Sequence, residues 1–336
     1  MVYIKMKTYT SLVKYLFASI IMLILSSCTE KVHEVSKPLY ELKTNNTIPK
    51  FDSENAYQQV KAQTDFGPRN PGSAGHKRAL VYLQNELGKY ADEIKLQSFT
   101  YSGYDDEKLE LTNIIGKFNP NAKKRIMFCA HWDTRPRAEK DEDPSKRNLP
   151  IIGANDGGSG VGVLLEIARL LKNQKVNYGV DIIFFDGEDY GKESDLNYFC
   201  LGAKYYSATL TGDFPVFSIL LDLVGDKEAN FKMEGNSLKY APEVVKMIWG
   251  IAGKINATMF SPSEGSSIYD DHIPLNQAGL KSVDVIDAEL VGADTPIKRR
   301  NYWHSHKDTM DNIGKNALQQ VGDVMINLIY SLKFNS

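Results

Sequence analysis

The chain has 336 residues, with 40 Lys and Arg against 42 Asp and Glu and a formal charge of −2. Its 42% hydrophobic and 24% charged residues are those of a globular protein, and 25 Gly with 13 Pro are too few for a collagen-like or low-complexity chain. The near-neutral charge argues against a nucleic-acid binder, which would show a basic face, so no nucleic acid is expected as a partner.

Lys5, Lys7 and Lys14 precede the apolar stretch Tyr15 to Leu25, which ends in Ser26-Ser27-Cys28. A basic start, an apolar run of about 11 residues and a small-residue end make a secretory signal. The run is too short to span a membrane, which takes about 20 apolar residues. Leu25-Ser26-Ser27-Cys28 resembles a bacterial lipobox, in which the cysteine is lipidated and becomes the new N-terminus; an ordinary cleaved signal is the alternative. Both place the protein outside the cytoplasm, in the cell envelope or periplasm, with membrane contact only through a lipid on Cys28. Removal of residues 1–27 takes away three lysines and no acid, moving the charge from −2 to −5. Residues 28–50 carry no sustained apolar period and read as a surface tether, leaving 51–336 as one folded domain. Cys129 sits in an apolar run where a buried thiol is expected, and pairing with Cys200 is left open.

Along that domain, Ser53 is placed to cap a helix over 54–65. The turn Gly67 to Gly72 leads to Ser73 and a longer helix with Leu80, Leu83 and Leu87 on one face. Alternating stretches Ile94 to Tyr101 and Leu109 to Phe118 read as a hairpin. Arg125 to Ala130, Val180 to Phe185, Val216 to Leu223 and Ser282 to Ile286 are apolar runs suited to buried strands. Between and after them lie helices over Val161 to Leu171, Asn236 to Gly253 and Ile313 to Leu332. This alternation predicts one α/β sandwich domain, with helices covering both faces of a mostly parallel sheet.

Polar residues gather where these strands stop. Ala130 is followed by His131-Trp132-Asp133, Phe185 by Asp186-Gly187-Glu188-Asp189, and Leu221 by Asp222. The loop after Asp133 ends in Gly153-Ala154-Asn155-Asp156-Gly157-Gly158 and opens a helix. Ligands of open α/β sheets bind beyond the carboxyl ends of the strands. Acids crowded into such a crevice need a cation or shared protons. A histidine from Tyr302-Trp303-His304-Ser305-His306, together with two carboxylates, would complete a three-ligand zinc site with an open position.

The order His131-x-Asp133, Gly153-x-x-Asp156, Gly187-Glu188-Asp189, Asp222, Asp270-Asp271-His272 and Trp303-His304 resembles the zinc-exopeptidase superfamily. Within it, Phe184 to Asp189, Leu221-Asp222-Leu223, Asp270 to Pro274 and Trp303-His304 resemble the glutaminyl-peptide cyclotransferase branch. The resemblance implies a three-layer α/β/α sandwich around a twisted, mostly parallel mixed sheet, and one Zn2+ per chain held by Asp156, Asp189 and His304. It also implies Glu188 as general acid/base, Asp222 and Asp270 in a hydrogen-bonded acid network with it, and Trp303 as a wall of the substrate pocket. Mammalian relatives carry Glu at the place of Asp189, and the segment Tyr190 to Phe199 departs from their loop.

The implied reaction cyclises the N-terminal glutamine of peptides to pyroglutamate and releases ammonia. A two-zinc aminopeptidase of the same superfamily is the alternative, with His131 and Asp222 on a second metal and Asp156 bridging. An envelope-binding domain without catalysis would lack a ligand or Glu188, and this chain has them all.

Overall fold

The computed structural model describes residues 39–44, 47–211 and 214–335. The signal and lipobox expected within residues 1–28 lie outside them, as does most of the expected tether. The fold spans Tyr40 to Phe334. Its elements are β1 (Tyr40–Leu42), α1 (Ser53–Thr64), α2 (Ala74–Gly88), β2 (Glu93–Ser102), β3 (Lys108–Phe118), β4 (Arg125–His131), α3 (Gly158–Asn173) and β5 (Gly179–Phe185). There follow α4 (Leu201–Thr209), β6 (Ser218–Asp222), β7 (Phe231–Met233), α5 (Gly235–Tyr240), α6 (Pro242–Lys254) and β8 (Phe260–Glu264). The last are α7 (His272–Gln277), β9 (Ser282–Ile286), α8 (Lys315–Ser331) and β10 (Leu332–Phe334).

Six strands form the central sheet in the order β2-β3-β5-β4-β6-β9. The hairpin β2–β3 and the β3–β5 pair are antiparallel; β5–β4, β4–β6 and β6–β9 are parallel. This is the mixed, mostly parallel sheet expected, and its strand alternation separates two helical layers. Ile126, Phe128 and Ala130 of β4 pack on one side with residues of α1, α2, α3, α6 and α8. Met127 and Cys129 face the other side, against Cys200, Ala203 and Tyr206 at α4 and Leu275 of α7.

Local chemistry sets the helix starts. Ser73 Oγ accepts the N–H of His76 at 3.0 Å, as a capping serine should. Asp52, rather than Ser53, caps α1, its Oδ1 accepting the N–H groups of Glu54 and Asn55. The helix expected over Asn236 to Gly253 is two helices. Pro242 has no N–H to continue the first of them and starts the second, and Ala241 between them has left helical geometry, with φ −142° and ψ 53°. The strand expected to run to Leu223 ends at Asp222, because Leu223 turns into the left-handed region at φ 49°.

Two pairings were not legible in the sequence. β7 and β8 form a short parallel ribbon. The end of the segment read as a tether supplies β1, which pairs antiparallel with β10, Tyr40 opposite Phe334. No described helix is long and apolar enough to cross a membrane.

Candidate metal centre and acid network

Parallel neighbours β5, β4 and β6 deliver the loops that follow them to one edge of the sheet, and glycines shape those loops. Gly157 has φ +81°, and a Cβ there would stand 2.5 Å from the Asp133 carbonyl oxygen and 2.9 Å from His131 Cε1. Only glycine lets the backbone pass so close and present Asp156 beside His131. The N–H groups of Asn155 and Asp156 then donate to the two carboxylate oxygens of Asp308, at 2.9 and 3.0 Å. Asp133 performs the same service for the next loop: its two oxygens accept the N–H groups of Glu188 and Asp189, at 3.0 and 3.2 Å. Held at the backbone, these adjacent acids send their side chains to different places.

Asp189 turns toward Asp156 and His304. One ligand atom from each of the three lies within 4.8 Å of the other two, and all three residues are buried. His304 Nε2 is 3.4 Å from Asp189 Oδ1 and 3.7 Å from Asp156 Oδ2. The His304 backbone is left-handed, φ 51°, a conformation rare outside functional turns, and its imidazole stacks on the Trp303 ring. His306 points elsewhere, its Nδ1 2.9 Å from Asp141 Oδ2. Burial would raise the Asp189 carboxyl, but Arg135 and His304 outweigh it and hold the group well below the usual carboxylate range. Asp189 Oδ2 is buried with no hydrogen-bond donor. Two carboxylates and an imidazole, with one buried oxygen unpartnered, fit a zinc ion with an open position.

A second group shares Asp156. His131 Nε2 lies 3.2 Å from Asp156 Oδ1 and 3.3 Å from Asp222 Oδ1, and its Nδ1 is 3.5 Å from Asp133. Glu188 turns the other way, into a cluster with Cys200 and Asp270. Its Oε1 accepts a hydrogen bond from the Cys200 thiol at 3.3 Å. Burial and then the charge of Asp270 push the Glu188 carboxyl well above its ordinary range. Burial and the neighbouring Asp222 push Asp270 up to about 7. Burial also raises Asp222, against the pull of His131. Such crowded carboxyls share protons rather than ionise independently.

The structure therefore brings Asp156, Asp189 and His304 into one cluster and Glu188, Asp222 and Asp270 into its flank. Trp303 lies, with Arg135, Phe199, Ile268 and Tyr269, on an open cavity of about 280 Å³ that reaches His304. Sequence reasoning gave no role to Arg135, Cys200 or Asp308. Asp133 stood in the motif without a function; its spacing from His131 was the only signal. Arg135 and Asp308 look like ordinary loop charges until their burial is seen, 1% and 0% exposed.

Residues 113–329 match Peptidase family M28. The glutaminyl cyclase of Bacteroides thetaiotaomicron, solved with N-acetylhistamine bound, is 40% identical, aligns over 84% of this chain and 99% of its own, and has a TM-score of 0.80. A leucine aminopeptidase precursor from the same bacterium is 39% identical over 86% of this chain and 99% of its own, with a TM-score of 0.79. Aminopeptidase YwaD of Bacillus subtilis is 26% identical over 78% of this chain and 54% of its own, so the chain spans about half the length of that relative.

Proposed function

This chain belongs to peptidase family M28, and we propose that it cyclises the N-terminal glutamine of peptides and proteins to pyroglutamate, releasing ammonia. In this reading one zinc ion is held by Asp156, Asp189 and His304. The observation that supports it most is the placement of Glu188, adjacent to the ligand Asp189 and against the buried carboxyl of Asp270, which in turn neighbours Asp222.

Zinc bound there supplies Lewis acidity toward the γ-carboxamide oxygen of the substrate. The attacking amine and the carbonyl belong to one residue, so the protein's task is chiefly to hold them in a near-attack geometry. Trp303 and the cavity beside it receive the glutamine and the residues that follow it. As the bond from the α-nitrogen to the γ-carbon forms, Glu188 accepts the amine proton. It returns that proton to the amide nitrogen as the carbon–nitrogen bond breaks, and ammonia leaves. A carboxyl lifted toward neutrality by burial and by Asp270 suits both halves of this transfer. Export and lipid attachment at Cys28 complete the proposal, on the strength of residues 5–28 alone.

The His131–Asp156–Asp222 group supports a second reading, an aminopeptidase in which these three residues would hold a second zinc ion. Purified protein is to be assayed with a Gln-initiated dipeptide and with leucine amide, alongside elemental analysis. The expected result is ammonia from the dipeptide, no leucine from the amide and one zinc per chain. Leucine release with two zincs would replace the cyclase by the aminopeptidase.

A further inference from the structure

Behind the Glu188–Asp270 pair lies a row of ionisable side chains that the proposed reaction does not use. Asp284, on β9, is fully buried and in hydrogen-bonding reach of Asp270. His272, also fully buried, lies beyond it, Nδ1 3.7 Å from Asp284 Oδ2 and Nε2 3.3 Å from Glu234 Oε2. Glu234 ends the row with its carboxylate well supplied: it accepts the N–H groups of Asn236, Ser237 and Ile268 and the hydroxyl of Ser237. Ser237 Oγ in turn accepts the N–H of Asp284, tying β9 to the same structure.

The middle of this row has the opposite problem. Both oxygens of Asp284 and Oδ2 of Asp270 are buried with no protein donor. Facing Asp284 are the carboxyls of Asp270, Asp222 and Glu234, the imidazole of His272 and the Cys129 thiol; among the described residues no Lys or Arg forms an ion pair with it. Two ionised carboxylates in contact in such a place would carry a desolvation penalty and a repulsion that one imidazole, shared with Glu234, offsets only in part. A single proton between them removes the repulsion and gives an orphaned oxygen its partner. Burial and these same acids push Asp284 well above the carboxylate range, and it is the member of the pair with both oxygens orphaned, so the proton is assigned to Asp284.

We propose that Asp284 is a positioning residue for the acid pair at the active site: a neutral carboxylic acid that donates a hydrogen bond to Asp270 and so fixes Asp270 against Glu188. It touches neither substrate nor metal and acts only through Asp270. The residue rests on the cyclase reading for its consequence in turnover, but its protonation does not depend on which reaction the site performs.

Two substitutions separate donation from mere filling of space. Asp284→Leu keeps the branching of the side chain and removes the donor. It is expected to lower kcat roughly ten- to a hundredfold through misplacement of Asp270, with KM and zinc content unchanged. Asp284→Asn restores a donor N–H at the same place and is expected to recover most of that loss. Infrared spectra near neutral pH supply a reading independent of turnover and of the Leu variant's folding. The wild-type protein is expected to show a protonated-carboxyl carbonyl band that Asp284→Asn diminishes. An unchanged band in Asp284→Asn overturns the proposal, as does an Asn variant as slow as the Leu variant. A second equivalent of metal, lost on substitution of Asp284, also overturns it, because a cation on Asp270, His272 and Asp284 would then satisfy those oxygens. Absence of ammonia release by the wild-type protein would instead overturn the cyclase reading and leave the infrared result standing.

Discussion

Arg135 grips Asp189 at two points: its Nη1 lies 2.6 Å from Oδ1 of the carboxylate and 3.2 Å from the backbone oxygen of the same residue. Both side chains are almost wholly buried. The guanidinium also pairs with Glu139 and lies over the Phe199 ring, so it is fixed before any ion arrives. A metal at Asp189 therefore meets a carboxylate whose orientation is already set. Arg135→Met keeps an unbranched stem and removes the guanidinium that makes the grip. Zinc affinity is expected to fall about ten- to a hundredfold, measured by competition with a chromogenic chelator. An unchanged affinity would leave Arg135 with a role in folding only.

Glu188 and Asp189 are adjacent in sequence and divided in orientation, and substitution is expected to divide them in function. Glu188→Gln keeps size and zinc but removes the proton acceptor, so cyclisation should fall by roughly two to four orders of magnitude. Asp189→Ala should lose zinc and turnover together. Turnover and zinc content measured on both variants check this. Near-normal turnover in Glu188→Gln would make Asp270 the next candidate.

Gly157→Ala is expected to disturb the loop that presents Asp156. Its φ of +81° is unfavourable for alanine, and the new methyl would run into Asp133 and His131. The loss should be about 2 kcal/mol or more in metal-free protein, read from urea unfolding. Zinc binding should weaken in parallel, since the backbone of Asp156 moves with the loop.

Stability should also respond to acid through Glu234. Burial raises this carboxyl, but His272, Ser237 and the Ile268 N–H more than offset it and hold it down to about 2, from 4.5 in an unfolded chain. A folded value below the unfolded one means that ionised Glu234 contributes stability above about pH 4.5. That contribution is lost as the pH falls toward about 2. Glu234→Gln should therefore be less stable than the wild type near neutral pH, with the gap closing between those limits. Urea unfolding of both proteins over that range is the measurement. A gap independent of pH would mean that packing, not charge, is what the substitution removes.

Cys129 and Cys200 are both free and fully buried. Burial pushes both thiols well above their ordinary range. Neither should react with iodoacetamide in the folded protein, and both should react in denaturant. Mass spectrometry of the alkylated chain distinguishes the two states. Labelling of Cys200 in folded protein would show that the Glu188 pocket opens.

Strands such as Arg125 to Ala130 and Val180 to Phe185 were legible because a central strand is an unbroken apolar run that stops abruptly at polar residues. The same abruptness marked His131, Glu188, Asp189 and Asp222 as residues of the sheet's edge. Chain order could not say which of these acids would face one another. That depends on β4 lying between β5 and β6, a long-range pairing. The supporting charges were hidden for a different reason. Asp284 sits inside the apolar run Ser282 to Ile286, where a lone acid interrupts no period. Arg135 becomes distinctive only through its burial. The break before Pro242 was visible as a proline, but apolar spacing on either side, with Leu238 and then Val244, Val245 and Ile248, ran across it.

The ribbon that joins Tyr40–Leu42 to Leu332–Phe334 brings together two stretches nearly three hundred residues apart along the backbone. The polypeptide thus enters and leaves this domain at one spot, and the catalytic body is close to a closed loop. Linking Phe334 back to Tyr40 through a few residues, and reopening the chain in the exposed stretch 142–149, would give a circular permutant. No strand of the six-stranded sheet would be cut. Order of synthesis would change; the architecture around Asp156, Asp189 and His304 would not.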